Sequence, residues 1–123
     1  MRKKVKLAIV GSRSFNDYGL MIEKIMEKYG DCEIECVISG GAKGADRLGA
    51  RFANENNIAL IEHKPDWERY GKSAGFIRNR YIIEDCTHCI AFWDGESHGT
   101  KNDIDLCHEI GKPCDVIIFT GDN

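Results

Sequence analysis

The chain has 123 residues, 42% hydrophobic and 30% charged, with a net charge of −3, which fits one ordinary globular domain spanning residues 1–123. That composition excludes a disordered chain, and no apolar run approaches the roughly 18 residues of a membrane span. Lys and Arg are scattered rather than gathered into a stripe, so a long nucleic acid finds no electrostatic track, whereas a small anion needs only local positive charge.

The run Val5 to Val10, bounded by Gly11, reads as a first buried strand. Met1-Arg2-Lys3-Lys4 leads into it without the features of a signal segment, and a cytoplasmic protein is expected. Tyr18, Met21, Ile22, Ile25, Met26 and Tyr29 recur at helical spacing, with Gly30 as the stop. Ile34 to Ser39 predicts a second strand, Gly44 to Asn56 a second helix and Ile58 to Glu62 a third strand. His63 to Lys72 lacks either period and reads as a long loop, with Ser73 as N-cap of a helix reaching Asp85. Thr87 to Trp93 is the fourth strand, Thr100 to Gly111 the fourth helix and Val116 to Phe119 the fifth strand. Strict alternation of strand and helix predicts an α/β fold, a single Rossmann-like, doubly wound parallel sheet of about five strands with helices on both faces.

Three glycine-punctuated turns follow apolar runs: Gly11-Ser12-Arg13, Ser39-Gly40-Gly41-Ala42-Lys43-Gly44-Ala45-Asp46, and Ser97-His98-Gly99-Thr100. Read as helix entrances, they present unpaired amides and the positive end of a helix dipole, which is the chemistry of a phosphate site. In a doubly wound sheet all three fall on the carboxyl edge of the strands, where ligands bind. Gly71-Lys72-Ser73 imitates the end of a P-loop, but Asp66 stands where that motif needs its first glycine. A dinucleotide fingerprint fails too, because the first turn lacks G-x-G-x-x-G and the second strand closes in Ser39-Gly40-Gly41 without an acidic residue.

Within these turns Arg13 can fork onto a phosphate, and Asp46 either caps a helix or accepts from a ribose or base. Trp67 and Tyr70 offer stacking faces to a base; the bland alternative for Trp67 is packing over the sheet edge. Arg78 and Arg80 cannot both face the core, so one of them points to the strand edge. Trp93 reads as structural. The six cysteines are expected as free thiols. Cys86-Thr87-His88-Cys89 has zinc spacing, with His98, Cys107 and His108 as imaginable partners, but a single C-x-x-C does not make a site, and neither metal nor cofactor is expected.

Five pieces in order resemble the SLOG superfamily of Rossmann-like domains and, within it, the YspA-like group. They are Gly11-Ser12-Arg13 with Phe15, Ser39 to Asp46, Asp66-Trp67 with Tyr70-Gly71-Lys72, Ala74-Gly75 with Arg78-Asn79, and Ser97-x-Gly99-Thr100. The resemblance implies binding of a nucleotide or nucleotide-derived signal, cyclic or ADP-ribose-like forms included, by a homodimer or higher homo-oligomer. The ligand-binding residues it points to are Gly11, Ser12, Arg13, Gly40, Gly41, Gly44, Asp46, Trp67, Lys72, Arg78, Asn79, Ser97, Gly99 and Thr100. The superfamily also contains enzymes similar to the LOG phosphoribohydrolases, whose P-G-G-x-G-T-x-x-E motif and helix arginine correspond here to Gly99-Thr100, Asp103 and Arg78. Glu96 and Ser97 replace two glycines, and Asp103 replaces the glutamate with a shorter reach.

Three functions compete on these residues. The first is a sensor or sequestering protein for a small nucleotide ligand, as a phage protein sequesters a defence signal. The second is an N-glycosidic hydrolase of nucleoside monophosphates, with Asp103 and Arg78 catalytic. The third is a nucleic-acid accessory domain, which the acidic balance disfavours. The incomplete motif puts binding first, and no membrane partner is expected.

Overall fold

The computed structural model describes residues 2–120. The apolar run at the start forms β1 (Lys4–Gly11), followed by α1 (Tyr18–Tyr29), β2 (Glu33–Ser39), α2 (Ala45–Glu55), β3 (Ala59–Glu62), a one-turn α3 (Trp67–Tyr70), α4 (Ala74–Asp85), β4 (His88–Trp93), α5 (His98–Ile110) and β5 (Cys114–Ile118). The strands form one parallel sheet in the order β3-β2-β1-β4-β5. The chain winds outward from β1 to β3, then returns to lay β4 on the other side of β1. The crevice between β1 and β4 is therefore the switch point of the sheet.

The period-two alternation of β1 divides the core into two layers. Val5, Leu7 and Ile9 pack with Met21 and Ile25 of α1 and Phe52 of α2. Ala8 and Val10 face the other way, against Ile82 and Ile83 of α4 and Ile104 and Leu106 of α5. Both faces are covered by helices, as the alternating pattern requires. Among the described residues no helix is long and apolar enough to cross a membrane.

Several expectations shift in detail. The loop from His63 to Lys72 contains α3, whose start is capped by the Asp66 carboxylate accepting from the Arg69 amide at 3.1 Å. A 3-10 turn, Gly71–Ser73, then leads into α4, and Ser73 occupies the cap position without making a side-chain cap bond. α5 begins two residues before Thr100, with Ser97 as its cap residue. The fifth strand starts at Cys114 rather than Val116, because parallel pairing of Cys114 with Cys89 carries the ladder back toward Pro113.

Candidate functional site

A cleft of about 480 Å³ opens at the carboxyl edge over the switch point, a volume suited to a small ligand. Its walls come from the turns after β1, β2 and β4, together with α3 and α4. Of the residues singled out from the sequence, Gly11, Ser12, Arg13, Asp46, Trp67, Lys72, Arg78, Asn79, Ser97, Gly99, Thr100 and Asp103 line it.

Gly40, Gly41 and Gly44 do not line the cleft, and Gly44 and Gly40 have supporting places instead. Gly44, at φ +76°, packs its Cα against the Ser12 carbonyl, so the second turn rests on the backbone of the first. The Ala45 amide donates to the same carbonyl at 3.3 Å. Gly40 is buried beneath the Arg78 guanidinium, which donates to its carbonyl at 2.7 Å. Gly41 is exposed beside Glu62.

The picture of three helix entrances also needs correction. α1 starts at Tyr18, well beyond Gly11-Ser12, and its first turn is satisfied by Asp17 accepting from Leu20 at 3.0 Å. The first glycine turn is instead a clasp on β4. The Ser12 amide donates to the Phe92 carbonyl at 2.9 Å, and the Phe15 amide closes back on the Ser12 carbonyl at 3.1 Å. Phe15 anchors the clasp by stacking on Phe92 in the core at 4.7 Å. Gly11 is required by close approach, since a Cβ there would overlap the Phe92 carbonyl and lie 2.6 Å from the Ala45 Cβ.

The start of α2 is occupied by the protein's own acid. Asp46 is the second residue of that helix rather than its cap, and its carboxylate accepts from the Ala42 amide at 3.2 Å. The third turn does open a helix, α5, whose first turn contains no acidic residue. There Asp94 shapes the approach by accepting from the Glu96 and Ser97 amides at 2.9 and 2.8 Å. Those bonds hold the Asp94 carboxyl below its ordinary value. Ser97 joins Ser12 at 2.8 Å and Thr100 at 3.0 Å, so three hydroxyls run across the crevice from the β1 turn to α5. The Trp93 indole donates to the Ser97 carbonyl at 3.1 Å, which gives that tryptophan the structural role expected of it.

α4 supplies the other wall. Arg78 faces the cleft while Arg80 pairs with Glu84 outside at 3.1 Å, one inward and one outward as the helical period demands. The Arg78 Nε donates to Asn79, and Asn79 in turn donates to Asn102 at 3.1 Å and more weakly to the Gly99 carbonyl at 3.4 Å. This network locks α4 to the start of α5. Arg13 and Lys72 stand exposed at the mouth, and among the described residues Arg13 makes no ion pair. Trp67 is 56% exposed and lies near Gly75 of α4, where a Cβ would come within 3.8 Å of the indole; it forms part of the wall rather than a cover for the sheet edge.

Phe76, 51% exposed, is a second aromatic of the wall that the sequence reading missed; Ser14, Ala42, Gly75 and Asp94 line the cleft as well. Phe76 sits two residues before Arg78 on α4, and no turn or motif marks it in the sequence.

The floor is acidic. Asp46 is 7% and Asp103 6% exposed. Burial raises the Asp46 carboxyl to about 6, outweighing the Ala42 amide and the nearby Arg78 that pull it down. Asp103 is raised well above its ordinary value, first by burial and then by the neighbouring Asp46, with Arg78 opposing. Its Oδ1 has no hydrogen-bond partner among the described residues. A buried orphan of this kind costs about 1–3 kcal/mol, so its place on the floor of a cleft calls for an incoming group.

The Asp46 shift has a consequence for stability. Below about pH 4 the carboxyl is protonated both folded and unfolded; between about pH 4 and 6 the unfolded chain releases a proton that the folded chain keeps; above 6 the full cost of about 3 kcal/mol is present. Stability gained from this group is therefore lost as pH rises. Asp46→Asn, which keeps an acceptor for the Ala42 amide, is expected to be more stable than the wild type at pH 7.5 and no more stable at pH 4. Urea midpoints at the two pH values measure the difference, and an equal gap at both would show that Asp46 is ionised in the fold throughout.

Among the described residues, the cysteine and histidine set imagined around Cys86 does not come together: Cys86, His98 and His108 stand apart from the one cluster of sulfurs, Cys89, Cys107 and Cys114.

The family described as YspA, cpYpsA-related SLOG matches residues 5–70, from β1 through α3. A relative, the Gene 61 protein of Mycobacterium phage D29, is 30% identical over 119 residues, covering 88% of this chain and 92% of its own length. The chain belongs to the YspA, cpYpsA-related SLOG family. No solved structure matches it. The matched SLOG segment contains the first two glycine turns and Trp67. Arg78, the third turn and Asp103 lie beyond it in sequence, and the fold brings them to the same cleft. Membership of the SLOG family carries a nucleotide-related function as its coarse reading.

Proposed function

We propose that this SLOG domain binds a small nucleotide or nucleotide-derived ligand in the switch-point cleft, acting as a sensor or as a sequestering protein. The observation that carries the reading is the buried Asp103 carboxyl, whose Oδ1 has no partner among the described residues, on the floor of a cleft whose mouth holds Arg13 and Lys72. A cleft polar in this sense suits a ligand with two unlike ends. The anionic end belongs with the α5 entrance and the two mouth cations, because two buried carboxyls exclude it from the floor. A sugar hydroxyl or base amine belongs at Asp103, whose Oδ1, unpartnered among the described residues, can accept from either. Trp67 and Phe76 offer faces to a base. That a phage encodes a relative fits a sequestering role without naming the ligand.

A second reading, cleavage of an N-glycosidic bond, is favoured by the presence of Arg78 and Asp103 in one cleft. It is ranked lower because Asp103 stands in place of the hydrolases' longer glutamate, and burial and the neighbouring Asp46 disfavour the negative charge that an oxocarbenium-like transition state calls for.

Mass spectrometry of small molecules released on denaturing the purified protein, followed by incubation of the released nucleotide with fresh protein, tests both. Binding predicts an intact nucleotide that remains intact and raises the melting temperature. Free base and ribose phosphate, absent with Asp103→Asn, would establish the hydrolase. Arg13→Ala is expected to weaken binding by about 1.5–3 kcal/mol, some 10- to 100-fold, with unchanged stability. Unchanged affinity on calorimetric titration would remove Arg13 from the site.

A further inference from the structure

Far from the cleft, at the amino-terminal edge of the sheet, Cys89 of β4, Cys107 of α5 and Cys114 of β5 bring their sulfurs within 4.8 Å of one another. Cys89 and Cys107 are completely buried, while Cys114 is half-buried and leaves a path from solvent. All three are free thiols. Three sulfurs around one metal at roughly 2.3 Å bonds stand about 4 Å apart, so the cluster needs only a small contraction to close on an ion.

The backbone holds these positions independently of the thiols. Cys89 and Cys114 are register partners in adjacent parallel strands. The Cys89 amide donates to the Pro113 carbonyl at 3.0 Å, and the Gly111 and Lys112 amides both donate to the Cys107 carbonyl at 2.8 Å. Gly111, in the left-handed conformation, ends α5 and turns the chain so that Cys114 enters β5 beside Cys89. The tight turn between Cys107 and Cys114 is thus what assembles the triad. Lys112 lays its ammonium on the Cys86 carbonyl at 2.5 Å, leaving a cation at this end of the sheet.

We propose that Cys89, Cys107 and Cys114 form a three-thiolate site for a soft monovalent cation, Cu(I). The donor set decides the class of ion. Among the described residues no histidine or carboxylate joins the three sulfurs, so a structural Zn(II) site lacks its fourth protein ligand. Thiolates without nitrogen or oxygen partners select a soft d10 cation that accepts three-fold coordination. Each thiol that ligates gives its proton to solvent, and the copper stays Cu(I) throughout, so no oxidant or reductant is involved.

The test is an anaerobic titration of the reduced full chain with Cu(I) against a chromogenic Cu(I) chelator, with X-ray absorption on the product. One equivalent held against the chelator, with a shell of three sulfur neighbours, is the expected result. Cys114→Ser, at the half-buried position, should lower retention at least tenfold, while Cys32→Ser on the opposite layer should leave it unchanged. Alkylation followed by mass spectrometry needs no variant: bound Cu(I) should protect three thiols, and peptides should map them to Cys89, Cys107 and Cys114. Copper lost entirely to the chelator, equal loss in Cys114→Ser and Cys32→Ser, protection of other cysteines, or tighter retention of Zn(II) than Cu(I) would each overturn the assignment.

Discussion

Arg78→Ala is expected to abolish detectable ligand binding, by at least 100-fold, and to cost about 2–3 kcal/mol of stability. The guanidinium holds the Gly40 carbonyl at 2.7 Å and the Asn79 side chain at 3.0 Å, and it is the cation that opposes the raised pKa values of both floor carboxyls. Removing it leaves a buried carbonyl unpaired and two buried acids without a counter-charge, each a recognised source of large losses. The half-exposed position of Arg78 lets water replace part of what is lost, which keeps the stability cost below that of a fully buried pair. A specific signature separates this account from general damage: the pH at which Asp46 titrates should move above about 6, because its nearby cation is gone. Chemical shifts of the Asp46 carboxyl carbon followed against pH would show the move. A variant that binds ligand normally, or whose Asp46 titrates at the wild-type pH, would disprove the role given to Arg78.

Gly44→Ala is expected to destabilise the fold by about 3 kcal/mol, with a fall of about 10–15 °C in melting temperature for a domain of this size. Two costs combine at this position. An L-residue is strained at φ +76°, and the added Cβ would overlap the Ser12 carbonyl oxygen in the backbone of the neighbouring turn. The backbone atom cannot swing aside as a flexible side chain would. To make room, the second turn must lift from the first and break the Ala45 to Ser12 bond, disturbing the Ser12 hydroxyl that links to Ser97. Gly99→Ala is the matched control, since a Cβ at Gly99 meets nothing within 4 Å and has no unusual φ. Equal melting temperatures for the two variants on scanning calorimetry would show that the turns are not packed against each other.

Hydrophobic periodicity made the five strands, four of the helices and the doubly wound class legible in the sequence, because each element must bury one face and those faces repeat at 2.0 or 3.6 residues. The same pattern set the edge of the sheet at which the site lies, and twelve of its lining residues, from Gly11 to Asp103, were named from turn chemistry and family resemblance. Small elements governed by side-chain caps were less legible. α3 depends on one Asp66 bond, and four residues are too few to display a period.

The roles inside the site were decided by tertiary structure alone. A glycine between a strand and a helix reads as a place for a phosphate, yet Gly44 makes room for the Ser12 carbonyl and Gly40 for the Arg78 guanidinium. A glycine frees space without saying who takes it, and here other parts of the chain take it first. The same holds for Asp46 and Asp103. Their identities were visible, but their raised pKa values arise from burial and, for Asp103, from the proximity of Asp46 across 57 positions of sequence, reckoned from their numbers. The three-thiol cluster follows the same logic: no spacing links Cys89 to Cys107 and Cys114, and only the pairing of β4 with β5 under α5 brings their sulfurs together. Local pattern determined which elements form and in what order, because burial acts along each segment; which side chains meet was left to the packing of segments distant in the chain.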